Sequence, residues 1–111
     1  MPCISFILPI YNMERLLPRA LRSLRAQTLT DFEAILINDG SKDGSAALCA
    51  QAAAEDVRFR FIDQPNGGVA AARNAGLDAA RGEYIFFLDP DDWVEPDAAE
   101  VLYHAAQDAD A

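Results

Sequence analysis

Four short runs rich in apolar residues punctuate the chain, and each is followed directly by a cluster of polar and turn-forming residues. Residues 3–8 (CISFIL) are closed by Pro9, residues 34–37 (AILI) by Asn38-Asp39-Gly40, and residues 84–88 (YIFFL) by Asp89-Pro90. Residues 58–62 (RFRFI) alternate instead, with Phe59 and Phe61 on one face and Arg58 and Arg60 on the other. Continuous apolar runs predict strands covered on both faces, and the alternating run predicts an edge or half-exposed strand.

Between these runs the period changes to that of a helix. Over residues 13–27, Met13, Leu16, Leu17, Ala20, Leu21 and Leu24 fall within roughly 140° of arc, and Arg15, Arg19, Arg22 and Arg25 lie opposite. That arginine row is expected to be a solvated helix face. An Ala-rich helix is predicted from residue 41 or 43 to residue 55. A third, over residues 68–80, carries Val69, Ala72, Gly76 and Ala80 as a small-residue stripe suited to close packing, with Gly82 as its stop. A fourth is predicted from about Pro96, a residue suited to a first helical turn, to Gln107. Strict alternation of strand and helix predicts an α/β fold, a parallel sheet with helices on both faces in three αβα layers.

Composition fits one domain and narrows its partners. The 111 residues are 51% hydrophobic and 24% charged, a globular balance. The net charge of −9 opposes nucleic acid and anionic lipid. No apolar stretch approaches the ~18 residues of a transmembrane helix, and no signal peptide is visible, so a cytoplasmic location is expected. Cys3 and Cys49 form no CxxC or Cys/His cluster, and both are expected to be small buried thiols. His104, the only histidine, falls in the fourth helix and is assigned a surface or packing role.

Ligands of open parallel sheets bind at the carboxyl ends of the strands. Here those ends carry residues 9–14, 38–41, 63–68 and 89–92, all rich in polar and turn residues. Asp89, Asp91 and Asp92 crowd three carboxylates into four residues, a repulsion that a hard divalent cation such as Mg²⁺ or Mn²⁺ relieves. The alternative is a turn with a helix-capping Asp. Asp39 can accept a base N–H or a ribose hydroxyl, while Asp43 and Ser45 suit helix capping. Asn66-Gly67-Gly68 opens a helix whose free N–H groups favour anions. Arg73 lies about 40° from Val69, near the packing stripe, and requires an anionic partner. That partner is either a ligand or a carboxylate such as Asp39, Asp89 or Asp91.

With these residues in place, the sequence resembles family 2 glycosyltransferases. The matching segments are ISFILPIYNMERLL, ILINDGSKDGS and NGGVAAARNAGLDAARGEYIFFLDPDD, which cover essentially the whole chain in the family's order. The resemblance implies that residues 1–111 are the nucleotide-sugar-binding part of a single GT-A domain, cut short at the C-terminus. It implies a Rossmann-like sheet of order 3-2-1-4, with which the alternating third strand agrees. It implies nucleotide-binding roles for Pro9, Tyr11, Glu14, Asp39, Arg73 and Asp89, with Asp39 on the uracil or other base. Asp89 and Asp91 become the metal-binding Asp-x-Asp motif, for Mn²⁺ or Mg²⁺, and Asp92 a frequent companion. The implied reaction is inverting transfer of a sugar from a nucleoside diphosphate sugar, UDP-linked by expectation, to the hydroxyl of a saccharide or lipid-linked acceptor. The catalytic base is expected beyond Ala111. Two rival readings are a non-catalytic nucleotide-binding module and a phosphatase forming an aspartyl phosphate. Against the latter, Trp93 stands where a small hydroxyl residue is expected.

Overall fold

The computed structural model describes residues 2–110. Among them strands and helices alternate as β1 (Ile4–Ile10), α1 (Leu17–Arg25), β2 (Phe32–Asp39), α2 (Ser45–Glu55), β3 (Phe59–Gln64), α3 (Val69–Ala79), β4 (Tyr84–Phe87) and α4 (Ala98–Asp110). The strands form one parallel sheet of order β3-β2-β1-β4, as expected.

The register sorts side chains onto two faces. Ile4 lies opposite Phe32 and Tyr84, and Ile7 opposite Ile35 and Phe87. Ile4, Phe6, Leu8 and Ile10 therefore share one face with Phe32, Ala34 and Leu36. They pack there with Leu17, Leu21 and Leu24 of α1, Cys49 and Ala52 of α2, and Ala99 of α4. Each fully buried aliphatic or aromatic side chain stabilises this layer by about 1.5–3 kcal/mol. On the other face Ile7, Ile35 and Ile37 meet α3 through Ala72. Gly76 allows that approach: a Cβ there would stand 2.5 Å from Ile7 Cγ2.

Both ends of α3 are held by carboxylates of β2. At the amino end of the strand, buried Glu33 accepts from Ser5 Oγ (2.5 Å), Arg60 Nη1 (2.8 Å) and the Arg81 N–H (2.6 Å). Arg60 also donates to the Ala79 carbonyl at 2.6 Å, the last residue of α3. Burial pushes the Glu33 carboxyl up, but the bonds from Ser5, Arg81 and Arg60 outweigh it and hold the group below its ordinary value. Asp39, at the carboxyl end, is described below.

Several boundaries differ from the sequence expectation, each for a physical reason. β1 runs through Pro9 to Ile10. The Leu88 N–H donates to the Ile7 carbonyl, so the same edge of Pro9 faces the β4 side, past the last β1–β4 pair at Ile7 and Phe87. The missing proline N–H therefore costs no ladder bond. β2 and β3 likewise extend to Asp39 and Gln64, because the β2–β3 ladder continues through polar residues. α1 starts at Leu17, with Pro18 in its first turn, and residues 13–16 form a turn bonded to the Met13 carbonyl. Helix α3 stops at Ala79 without help from Gly82, which instead lies against Ser5, where a Cβ would come within 2.5 Å of its N and Oγ. α4 begins two residues after Pro96 and runs past Gln107.

One expectation is overturned by packing. β4 is apolar throughout, yet only Tyr84 and Phe86 turn to the α4 side, and Ile85 and Phe87 are 40% and 49% exposed. They share the face of Ser5 and Ile7, but α3 packs over β1 and β2 and reaches β4 only through the Arg73 side chain on Phe87. β3 lies at the sheet edge as expected, with Phe59 buried, but it starts one residue late: Arg58 falls in the turn before it and stacks 4.6 Å from the centre of the Phe32 ring, on the side where Phe59 packs. Cys49 is buried and free, its thiol pushed up to about 12 chiefly by burial. Cys3 is only half-buried, donating to Asp31.

Candidate functional site

The carboxyl edge of the sheet carries four loops, and the first two, after β1 and β2, are stitched together. The Asn12 N–H donates to Ser41 Oγ, and Asn12 Oδ1 accepts from the Lys42 N–H, at 2.9 and 2.8 Å. The Met13 N–H donates to Ser45 Oγ, the Glu14 N–H to Asp43 Oδ2, and the Gly44 N–H to Glu14 Oε1. Asn12 sits at φ 51°, a left-handed conformation that asparagine tolerates. Asp43 also accepts from the Ser45 N–H at the start of α2, the capping role expected for it. Glu14 thus lies at the N-terminus of α2, in an open cleft of about 580 Å³ shared with Asn12, Met13, Arg15, Leu16 and Asp43.

A second cleft, of about 230 Å³, lies beside it and is lined by Pro9, Ile10, Tyr11, Asp39, Asn66, Gly68, Val69 and Ala72. Its floor is aliphatic, Tyr11 is 45% exposed at its mouth, and its one charged group is Asp39. Asp39 is buried, and it is already engaged. Oδ1 accepts from the Gly67 N–H at 2.9 Å and Gln64 Nε2 at 3.1 Å, and Oδ2 accepts from the Gly68 N–H at 2.9 Å. Gly68 is the residue before α3, so Asp39 holds the entrance of that helix. Burial raises the carboxyl's pKa, while the Gly67, Gln64 and Gly68 donors outweigh that and keep it below the ordinary 3.8. A carboxylate offers about four acceptor positions, so one on Oδ2 has no protein donor among the described residues. Gly40, at φ 72°, keeps this corner closed: a Cβ there would stand 2.6 Å from the Asn66 N.

The fourth loop follows β4. Pro90 begins a turn closed by the Asp92 N–H on the Asp89 carbonyl at 2.9 Å. The turn gathers Asp89, Asp91 and Asp92, each exposed, with one carboxylate oxygen apiece within 4.8 Å of the others. Among the described residues none of the three is in an ion pair. Arg19 donates to the turn, but to the Asp91 carbonyl (2.9 Å) and not to a carboxylate. Hard oxygen donors, uncommitted and converging, fit a divalent cation such as Mg²⁺ or Mn²⁺.

The structure therefore divides the predicted residues. Pro9, Tyr11 and Asp39 share the smaller cleft; Glu14 lines its neighbour; Asp89, Asp91 and Asp92 form a separate cluster. Arg73 is exposed on α3, its guanidinium 5.5 Å from the centre of the Phe87 ring, beside the strand that leads into Asp89. Among the described residues it forms no ion pair with Asp39, Asp89 or Asp91, so the purely structural bridge considered for it is not made. Two features went unread in the sequence. Asn66 lines the cleft and donates Nδ2 to the Asp39 carbonyl at 3.0 Å. The face of α1 assigned to solvent also holds the acidic loop through Arg19. A polar residue every fourth position, Arg19, Ser23 and Gln27, was the available signal.

A parallel α/β sheet with a small cleft and a carboxylate cluster at its carboxyl edge is a Rossmann-like arrangement, the kind in which ligands bind at that edge. The chain matches the family described as Glycosyl transferase family 2 over residues 5–111, and it belongs to that family. EpsH of Bacillus subtilis (strain 168) is 45% identical over 107 residues, which are 96% of this chain and 31% of EpsH. The glycosyltransferase GlyA of Streptococcus pneumoniae is 43% identical over 90% of this chain and 14% of its own length. The solved structure of S. aureus TarS 1–349 in complex with UDP-GlcNAc superposes with a TM-score of 0.82 at 30% identity, covering 97% of this chain and 31% of TarS 1–349. This chain thus spans about a third or less of these relatives. Family membership sets aside the phosphatase reading. Among the described residues no helix is long and apolar enough to cross a membrane.

Proposed function

We propose that this chain supplies the donor site for inverting transfer of a sugar from a UDP-sugar to the hydroxyl of a saccharide or lipid-linked acceptor. Its share of the work is to bind the nucleotide and a divalent metal, Mn²⁺ or Mg²⁺. The carrying observation is the pairing, along one sheet edge, of the Pro9–Tyr11–Asp39 cleft with the unpaired Asp89–Asp91–Asp92 cluster. The cleft has the apolar walls and the one carboxylate that suit a flat base bearing an N–H. Uracil has such an N–H, and the open position on Asp39 Oδ2 is its partner in this reading. Pro9 and Tyr11 pack on the base and ribose, Glu14 borders them, and Arg73 serves the diphosphate.

Asp89 and Asp91 hold the metal, with Asp89 also near the ribose and Asp92 as companion. When bound, the cation offsets the negative charge of the diphosphate and of the leaving group. The UDP-GlcNAc complex of TarS, 30% identical here, supports a uridine nucleotide as the donor's carrier. The test is a calorimetric comparison of UDP, ADP and GDP in excess Mn²⁺ with wild-type chain and with Asp39→Asn. UDP is expected to bind tightest, with the preference weakened in Asp39→Asn. Equal affinity for the three nucleotides in the wild type would remove the base from the account.

A further inference from the structure

Residues 88–97 contain no helix or strand, and their backbone bonds are scattered: the Leu88 N–H on the Ile7 carbonyl, the Asp89–Asp92 turn, and the Pro96 carbonyl accepting from the Thr28 N–H at 2.7 Å. Their order still has to overcome the conformational entropy of the chain, about 1–2 kcal/mol per residue. It also has to overcome the mutual repulsion of three carboxylates whose oxygens lie within 4.8 Å of one another. The restraint comes from α1 and the turn after it. Arg19 Nη2 donates to the Asp91 carbonyl at 2.9 Å, and Ser23 Oγ accepts from the Val94 N–H at 3.1 Å. Gln27 Nε2 donates to the Glu95 carbonyl at 2.7 Å and to the Ser23 carbonyl at 2.9 Å, while its Oε1 accepts from the Ala99 N–H at 2.8 Å. Gln27 is 4% exposed, so both ends of its amide are used where water is scarce.

We infer that Arg19, Ser23 and Gln27 are positioning residues for the metal loop: one polar row, four residues apart, sets the backbone path on which Asp89, Asp91 and Asp92 converge. The chemistry of the bonds suits the task. All three side chains bind main-chain groups of the loop, so the loop is fixed while its carboxylates stay free. Arg19 in addition brings a positive charge beside the acidic turn without spending a carboxylate oxygen. The inference rests on the donor-site reading above, because it assigns these residues to a metal that the reading supplies.

The experiment measures UDP binding in excess Mn²⁺, and uridine binding without metal, for wild type, Gln27→Met, Arg19→Met and Arg19→Lys. It is paired with amide exchange over residues 89–97. Wild-type chain that binds UDP no better with Mn²⁺ than without would defeat the donor-site reading itself. Given metal-dependent binding by the wild type, Gln27→Met is expected to weaken it about 10-fold, the usual effect of removing a group that orients metal ligands. Arg19→Met is expected to weaken it less, with partial rescue by Arg19→Lys, and exchange in the loop should speed up in both Met variants. Uridine binding should be unchanged in all of them. Folded variants with wild-type metal-dependent affinity would overturn the inference, as would equal losses for uridine and UDP. If Gln27→Met does not fold, the surface change Arg19→Met decides the matter.

Discussion

The carboxylates of β2 and those that follow β4 have opposite relations to the rest of the molecule. Glu33 and Asp39 lie on the same face of one strand, buried, and each accepts three hydrogen bonds from protein groups. Asp89, Asp91 and Asp92 are exposed and crowded together. The first pair answers a need internal to the fold, the unsatisfied groups at the two ends of α3. The second set leaves a need of its own, which a cation can meet. A polar residue at a strand end can therefore serve fold, ligand or both, and the donors around it tell which. Asp39 stands between the two: three of its acceptor positions build the helix entrance, and the residue also lines the cleft, where the proposed reading gives it a ligand.

The contrast is sharpest in stability. Asp39→Ala leaves the N–H groups of Gly67 and Gly68 without their acceptor and should lower unfolding stability by about 3 kcal/mol in urea. Asp91→Ala should leave it nearly unchanged. Equal losses for the two would erase the distinction.

In binding the order reverses. Asp91→Asn should weaken Mn²⁺-dependent UDP binding about 10-fold or more, because a cation loses one of its anionic ligands. In the metal-free protein the same change removes repulsion, so the melting temperature should hold or rise slightly. A clear drop in metal-free melting temperature would make Asp91 a structural residue.

Acid separates the groups more gently. Glu33 and Asp39 titrate below their ordinary values of 4.5 and 3.8 in the fold. The folded state therefore binds fewer protons than the unfolded chain in that range. Their stabilisation is fully present above those values and is lost as pH falls through the lower folded ones. Stability of the wild type should fall on acidification through that window, and less steeply in Glu33→Gln. Identical pH profiles for the two proteins would show that Glu33 contributes nothing through its charge.

The sheet was legible in the sequence because its signal is repeated. Four apolar runs, each closed by turn residues, imposed the alternation, and the arginines of the third run marked it as an edge. The covering of each face was not legible for β4: YIFFL reads the same whether or not a helix lies over Ile85 and Phe87. Strand ends were placed short at Asn38 and Asp39, because polarity was read as a stop where the ladder in fact continues. The acidic cluster could be seen because its residues are adjacent in sequence. The engagement of Asp39 by Gly67 and Gly68, and of the acidic loop by Arg19, could not, since those partners are 28, 29 and 72 residues away.

The central claim is that one sheet edge binds a uridine diphosphate through a metal held by the uncommitted carboxylates. Calorimetric titration of this chain with UDP, once in excess Mn²⁺ and once in chelator, tests it most directly. The account predicts clearly tighter binding with Mn²⁺, and a difference that Asp91→Asn reduces about 10-fold or more. Equal affinity in the two titrations of the wild type would contradict it.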